Sequence, residues 1–593
     1  QASTVGADNS KPTLTGFSLN MDGAPQLSLT FSETVKANTF VANTMKIMKA
    51  SPANTANAVS ITNGGTATTV DGTVIVLTLA AEDANNIKAD VTLGTTTSNT
   101  FLLVTSGTIK DMADNILDAE TTAKAATAVV VDNTAPTLSS AVLNMNIGRL
   151  TLVFDEVIKA TAVDFEKVSI GSAADDGSPI VLSGSTRVSG DISDTVELSF
   201  SDGVLNNLKI DLTRAVAGAS VIVLGGGAVT DMSANSKTNV KITHAADTFT
   251  ADTTKPTLTS FSINMANGKI SMVFNEAILA SSLKPTDITI LKAASSATKY
   301  VLTGGTTASN NGINYVLDLS ATDLNALKKD EGIATSTGDT YLAMAAAGVK
   351  DMNNQEIAAI TEASAKEAGG FTPDDVHGTL DAWTLDMNAG TLILTFSETM
   401  NAAFSQIDVA NHLSIQNHAT STGTTTKITL SGSQDPGGAT VDYTIVTIKL
   451  LETDLELIKA EDEVGTDKAA GVGTFDAYLY HDAELIKDQT GISVTARTAD
   501  AALQRTSYTA DTTKPELAGS ALDLNTGKLT LTFTETIRAS DTVPSKITLV
   551  EAGTNPAVTP VSLSTSAVTQ VNGKTVLLTL DADTLNLIKK ETT

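Results

Sequence analysis

The strongest constraint on this chain is a long internal repeat. One block reads Lys-Pro-Thr-Leu, then Phe-Ser-Leu-Asn-Met, then Leu-Ser-Leu-Thr-Phe-Ser-Glu. It starts at Lys11 and returns, with variations, four more times. Its anchoring phenylalanines, Phe31, Phe154, Phe274, Phe396 and Phe533, fall 123, 120, 122 and 137 residues apart. That period is too long for a small solenoid unit and suits a whole β-sandwich domain of about 100 residues.

Within the block, Leu27, Leu29 and Phe31 alternate with Ser28 and Thr30, and Ile270, Met272 and Phe274 alternate with Ser271 and Val273. Period-two alternation predicts strands with one face in a core. A second block, as in Leu205-Asn-Asn-Leu-Lys209, recurs in every copy and often follows an acidic residue such as Asp83, Asp323, Asp454 or Asp583. It predicts a single N-capped helical turn after a strand. A third block, Lys110-Asp-Met-Ala-Asp-Asn115 and its relatives at Thr230 and Lys350, predicts a tight turn between strands. The fold class expected is all-β: tandem immunoglobulin-like β-sandwiches in an extended rod. The expected repeats are 1–133, 134–253, 254–372, 373–512 and 513–593. The fourth is lengthened, on this reading by the Gly- and Ser-rich loop at Ser431–Ala439. The fifth stops before its Asp-Met turn. Either the natural chain continues, or another subunit donates the missing strands by β-strand addition.

Composition narrows the function. The 593 residues carry a formal net charge of −28, which repels phosphate backbones and anionic membranes, so no nucleic-acid partner is expected. No apolar run approaches the roughly 20 residues of a membrane helix, so no membrane insertion is expected. The absence of cysteine excludes disulfides, thiolate zinc sites and cysteine nucleophiles. The histidines, His244, His377, His412, His418 and His481, form no metal-binding spacing. Gly573-Lys574-Thr575 lacks the glycine a phosphate loop needs five positions earlier, where Val568 stands. No enzymatic activity and no cofactor other than calcium are expected.

Two sets of residues pose a physical question. Glu33, Glu156, Glu276, Glu398 and Glu535 lie two positions past their phenylalanines and so share core-facing parity. A carboxylate there costs several kcal/mol unless compensated. The strand may bulge and release it, or the repeat's own lysine (Lys88, Lys209, Lys328, Lys459, Lys589) pairs with it, or a cation binds it. The second set is Asp132, Asp252 and Asp511 beside the boundary prolines, with Asp111, Asp231 and Asp351 in the Asp-Met turns and Asp488 in the fourth repeat's counterpart. These either cap turns or hold calcium at the linkers, although no Asp-x-Asp-x-Asp-Gly loop is present.

The Pro-x-Leu opening, the Phe31-Ser32-Glu33 strand and the Asp111-Met112-Ala113-Asp114-Asn115 turn resemble bacterial Ig-like domains of S-layer and large surface proteins. The fourth repeat departs from this pattern at Asp488-Gln-Thr-Gly491. The resemblance implies a cell-envelope, adhesin or filament role rather than an activity. The expectation is therefore an extracellular structural protein that self-associates into a cell-surface filament or array. The alternative is the stalk of a large surface adhesin.

Overall fold

The computed structural model describes residues 6–51, 58–172, 177–233, 235–421, 425–437, 444–461, 464, 477–550, 559–569 and 571–591. Each of the first four repeats folds into two sheets. In the second repeat, the larger sheet runs in the order Thr186–Arg187, Ile192–Ser199, Arg149–Lys159, Leu138–Asn144, Thr248–Thr250. The smaller runs Ile180–Val181, Val168–Ser172, Ser220–Leu224, Ile242–Ala245. The fold is all-β, a series of tandem sandwiches, as the alternating pattern requires.

The phenylalanine block forms an inner strand of the sheet that holds the repeat's opening strand. Gln26–Lys36, Arg149–Lys159, Lys269–Ile278, Thr391–Phe396 and Lys528–Ile537 each pair antiparallel with the strand before them. Their alternate apolar residues point into the core, and Phe31, Phe154, Phe274 and Phe396 are buried. Each repeat has its own cluster of buried side chains. Trp383, the one tryptophan, is fully buried and donates its indole N–H to the Leu503 carbonyl at 2.7 Å.

Two local features place the residues of interest. First, the opening strand of repeats one to four is flanked by the repeat's last short strand, and the two run parallel. Ser18 is paired with Ala128, Val142 with Thr248, Ser262 with Gly370, and Thr384 with Ser507. The last strand ends two residues before Asp132, Asp252, Asp374 or Asp511, so each linker aspartate leaves the sheet at a set point. Second, the pairing of the phenylalanine strand with its other neighbour slips at the glutamate. The irregularity lies between Val153 and Ile158 in repeat two and between Val273 and Ile278 in repeat three.

The helical block is longer than one turn. The helices are α1 (Ala81–Lys88), α2 (Asp202–Ile210), α3 (Ala321–Lys329), α4 (Glu452–Ala460) and α5 (Ala582–Glu591). Nor is the acidic residue the N-cap. Ser201 and Ser320 cap α2 and α3, whereas Asp83 and Asp323 are the third residues of their helices. Their buried carboxylates accept the amides of Thr62 and Asn63, or of Thr303 and Gly304, and so tie the helix to the loop before it.

The fifth repeat is smaller. Its main sheet runs Leu517–Asp523, Lys528–Ile537, Gly573–Thr579, Ala567–Val568, and among the described residues the second sheet pairs Thr548–Leu549 with Val561–Ser562. Among the described residues, no strand lies parallel beside Leu517–Asp523, which is exposed at every position. Of the loop Ser431–Ala439, residues 438 and 439 lie outside the described residues. Its earlier part pairs Ser433–Gln434 with the strand Ile445–Leu450.

Candidate functional site: the joint between repeats

The glutamate does find a lysine, but not its own repeat's. Lys88 of repeat one reaches Glu156 of repeat two at 2.7 Å and the linker Asp132 at 2.8 Å. Lys209 meets Glu276 at 2.5 Å and Asp252 at 2.7 Å. Lys328 meets Asp374 at 2.7 Å and also pairs with Glu398. Lys459 meets Asp511 at 2.9 Å and pairs with Glu535. Pairing with the repeat's own lysine, one of the three readings of the glutamate, is thus corrected for Glu156, Glu276, Glu398 and Glu535 to a pairing across the joint. The helix sits at the end of the sandwich facing the next repeat, so its lysine lies nearest the neighbour's glutamate.

Helix geometry doubles the contact. Asn85, Asn206 and Asn325 stand three residues before the lysine, on the same helix face. Each side-chain oxygen accepts the amide just past the neighbour's glutamate: Val157 at 3.2 Å, Ala277 at 2.9 Å and Thr399 at 2.9 Å. These amides fall where the sheet pairing slips, so the preceding helix supplies the acceptor that the ladder does not. In the last joint Glu456 takes the asparagine's place and accepts from the Thr536 hydroxyl.

The Asp-Met turn closes the joint from the other side. Asp231 Oδ1 accepts the amides of Ser233 and Lys237, and Asp351 Oδ1 those of Asn353 and Gln355. This is the turn-capping role read from the sequence. One turn further on, Asn235 and Asn353 each donate to the linker aspartate's own carbonyl, Asp132 or Asp252, at 3.1 Å. The second oxygen of Asp231 and of Asp351 stays buried without a hydrogen-bond partner, and both residues lie at the joint. Three carboxylates therefore meet there, with oxygens within 4.8 Å of one another: Asp132, Glu156 and Asp231; Asp252, Glu276 and Asp351; Asp374, Glu398 and Asp488. Asp8, Glu33 and Asp111 form the same trio at the start of repeat one.

Burial makes these charges consequential. In the second joint the side chains of Lys209, Asp252 and Glu276 keep only 9%, 2% and 4% of their exposure. Burial would lower the Lys209 ammonium, but its bonds to Asp252 and Glu276 outweigh that and raise it, so the lysine stays charged. The acids have one cation among three. Burial, reinforced by the Asp252 carboxylate and only partly offset by Lys209, pushes Glu276 up to about 7. Glu156 is pushed up to about 8 for the same reasons. Asp231 and Asp351 are raised as well, first by burial and then by the linker aspartate's charge. Two carboxylates about 5 Å apart repel by about 3 kcal/mol at an effective dielectric of ~20, so the excess negative charge is a real term.

The fourth joint is looser. Lys459, Asp511 and Glu535 retain 11%, 25% and 17% exposure, and among the described residues repeat five brings no turn aspartate. Asp374 and the asparagines of the joint were absent from the residues singled out by sequence, whereas Asp488 was among its turn aspartates. The Asn-x-x-Lys spacing was their one readable signal. Lys589 occupies the corresponding place in α5.

No family model matches the chain, and neither does any curated protein. Solved structures similar to it include the bacterial S-layer protein rSbsC(31-844), 11% identical over 96% of this chain, with a TM-score of 0.15. The N-terminal part of SbsC matches over 40% of this chain at 11% identity and a TM-score of 0.15. The first four Ig domains of Dscam1 match over 84% at 8% identity and a TM-score of 0.14. The chain spans 63% and 44% of the two SbsC chains' own lengths. At such identities the likeness concerns the fold alone, which the paired sheets establish by themselves. Among the described residues no helix is long and apolar enough to cross a membrane.

Proposed function

We propose that this chain is an extracellular structural protein, a stiff rod of Ig-like repeats of the bacterial surface-protein type that builds a cell-surface filament or array. The observation that carries the reading is the joint. The same lysine, linker aspartate and strand glutamate meet at all four junctions, largely buried in three of them. Flexibly strung beads have no use for a buried ion-pair network at each linker, because such a network confers orientation rather than net stability. The reading is non-enzymatic: the acidic and basic residues that recur in every repeat are engaged in holding neighbours together.

The test has two parts. Small-angle X-ray scattering of the full chain should give the distance profile of a rod, and a profile of freely hinged beads would sink the rigid-joint reading. Electron microscopy of natively isolated material should then show regular fibres or sheets. Isolated rods would overturn the assembly and point to an adhesin stalk.

A further inference from the structure

We propose that each of the first three joints binds one hard divalent cation of the calcium class, held by the linker aspartate, the strand glutamate and the turn aspartate. The sites are Asp132, Glu156 and Asp231; Asp252, Glu276 and Asp351; and Asp374, Glu398 and Asp488. The inference deepens the rod reading and rests on it for its purpose, though not for its chemistry.

Two independent observations support it. The first is charge: three carboxylates share one lysine, so ionising all three leaves two negative charges uncompensated in a nearly dry space. One divalent cation closes that balance. The second is orphaned oxygens. Asp231 Oδ2, Asp351 Oδ2, Glu276 Oε1 and Glu398 Oε1 are buried and have no hydrogen-bond partner. Asp351 is 1% exposed, Asp231 2% and Glu276 3%, so these atoms cannot turn to solvent. A buried acceptor left without a donor is costly and calls for an explanation.

The second joint shows how the oxygens divide the work. The lysine takes Glu276 Oε2 and Asp252 Oδ2, and the turn amides take Asp351 Oδ1. Glu276 Oε1 and Asp351 Oδ2 are left over, both within the trio. Carboxylate oxygens drawn from three separate chain segments form a hard and adaptable ligand set. That favours Ca²⁺, which accepts irregular geometry and completes its shell with water, over Mg²⁺, which demands a near-ideal octahedron. The fourth joint is an internal control, since Asp511 and Glu535 face Lys459 without a third carboxylate among the described residues.

The test is calorimetric titration of the chelator-stripped full chain with CaCl₂, and separately with MgCl₂, checked by circular dichroism for folding. Calcium should bind with a dissociation constant of about 10⁻⁴ M, in the range of extracellular sites, and magnesium at least about tenfold more weakly. Asp351→Asn should remove one site from the stoichiometry, and so should Glu276→Gln, a second route should the first variant misfold. Glu535→Gln should leave the stoichiometry unchanged. Absence of calcium uptake at millimolar concentration would overturn the proposal, as would a site count indifferent to both joint variants. Equal affinity for magnesium would overturn the calcium assignment. Scattering in excess chelator separates the two readings: a chain that stays extended but takes up no calcium sinks the cation site and leaves the rod standing.

Discussion

Lys209 illustrates what one side chain does here. Its ammonium is the one positive charge between Asp252 and Glu276, and it is nearly buried. Lys209→Met keeps the aliphatic stem but leaves the acids uncompensated. Breaking one side of a buried pair costs about 3–5 kcal/mol, which chemical denaturation of the full chain should register as a weakened transition for repeats two and three. Lys574→Met, whose ammonium is partly exposed, should change little. The residue scale also carries a pH prediction. His481 is buried, its Nδ1 lies 2.9 Å from the Asp482 carbonyl, and burial lowers its pKa from the usual value. Unfolding frees it to take a proton near its ordinary pKa of about 6.5, so its neutral form contributes stability above that pH. The contribution is lost as pH falls through the window below 6.5. Melting curves from pH 7 to 5 should therefore show repeat four weakening more in the parent than in His481→Asn. Equal slopes would refute it.

At the scale of elements, the strands were legible and the partners were not. Alternation at Leu27, Leu29 and Phe31 points to an amphipathic strand whatever surrounds it; by the same parity Glu156, Glu276 and Glu398 are buried, while Glu33 is half-buried. Nothing local says whose lysine answers the glutamate. Lys88 lies between Glu33 and Glu156 in sequence, and only the position of α1 at the far end of its sandwich decides for Glu156. The two readings of the turn aspartates were posed as rivals because sequence cannot separate the two oxygens of a carboxylate. In the fold, Oδ1 of Asp351 caps its turn while Oδ2 is left buried without a hydrogen-bond partner. The helix was read as too short because its capping serine or alanine precedes the more conspicuous aspartate. One prediction belongs here. An alanine inserted between Asn206 and Lys209 turns the lysine by about 100° relative to the asparagine. Hydrogen exchange at Ala277, whose amide is held by Asn206, should remain slow while protection around Glu276 falls. Unchanged protection at both would show that the shared helix face does not matter.

For the whole molecule, cohesion is spread over joints of unequal quality. The first three bury their charges among three carboxylates, and the fourth leaves Asp511 a quarter exposed. Bending should therefore concentrate between repeats four and five. Distance measurements between spin labels on neighbouring repeats should give the widest distribution there, and equal widths throughout would argue against it. The parallel pairing of first and last strands has a mechanical consequence. A pull on the two ends of such a repeat slides Leu138–Asn144 lengthwise past Thr248–Thr250, loading their hydrogen bonds together instead of one after another. Repeats one to four share that arrangement, and among the described residues Leu517–Asp523 has no such companion. Stretched as a single molecule, repeats one to four should each yield at a high force of similar size, releasing about 400 Å of chain. Gradual yielding at low force would refute it. The chain would then behave as a cable of matched links.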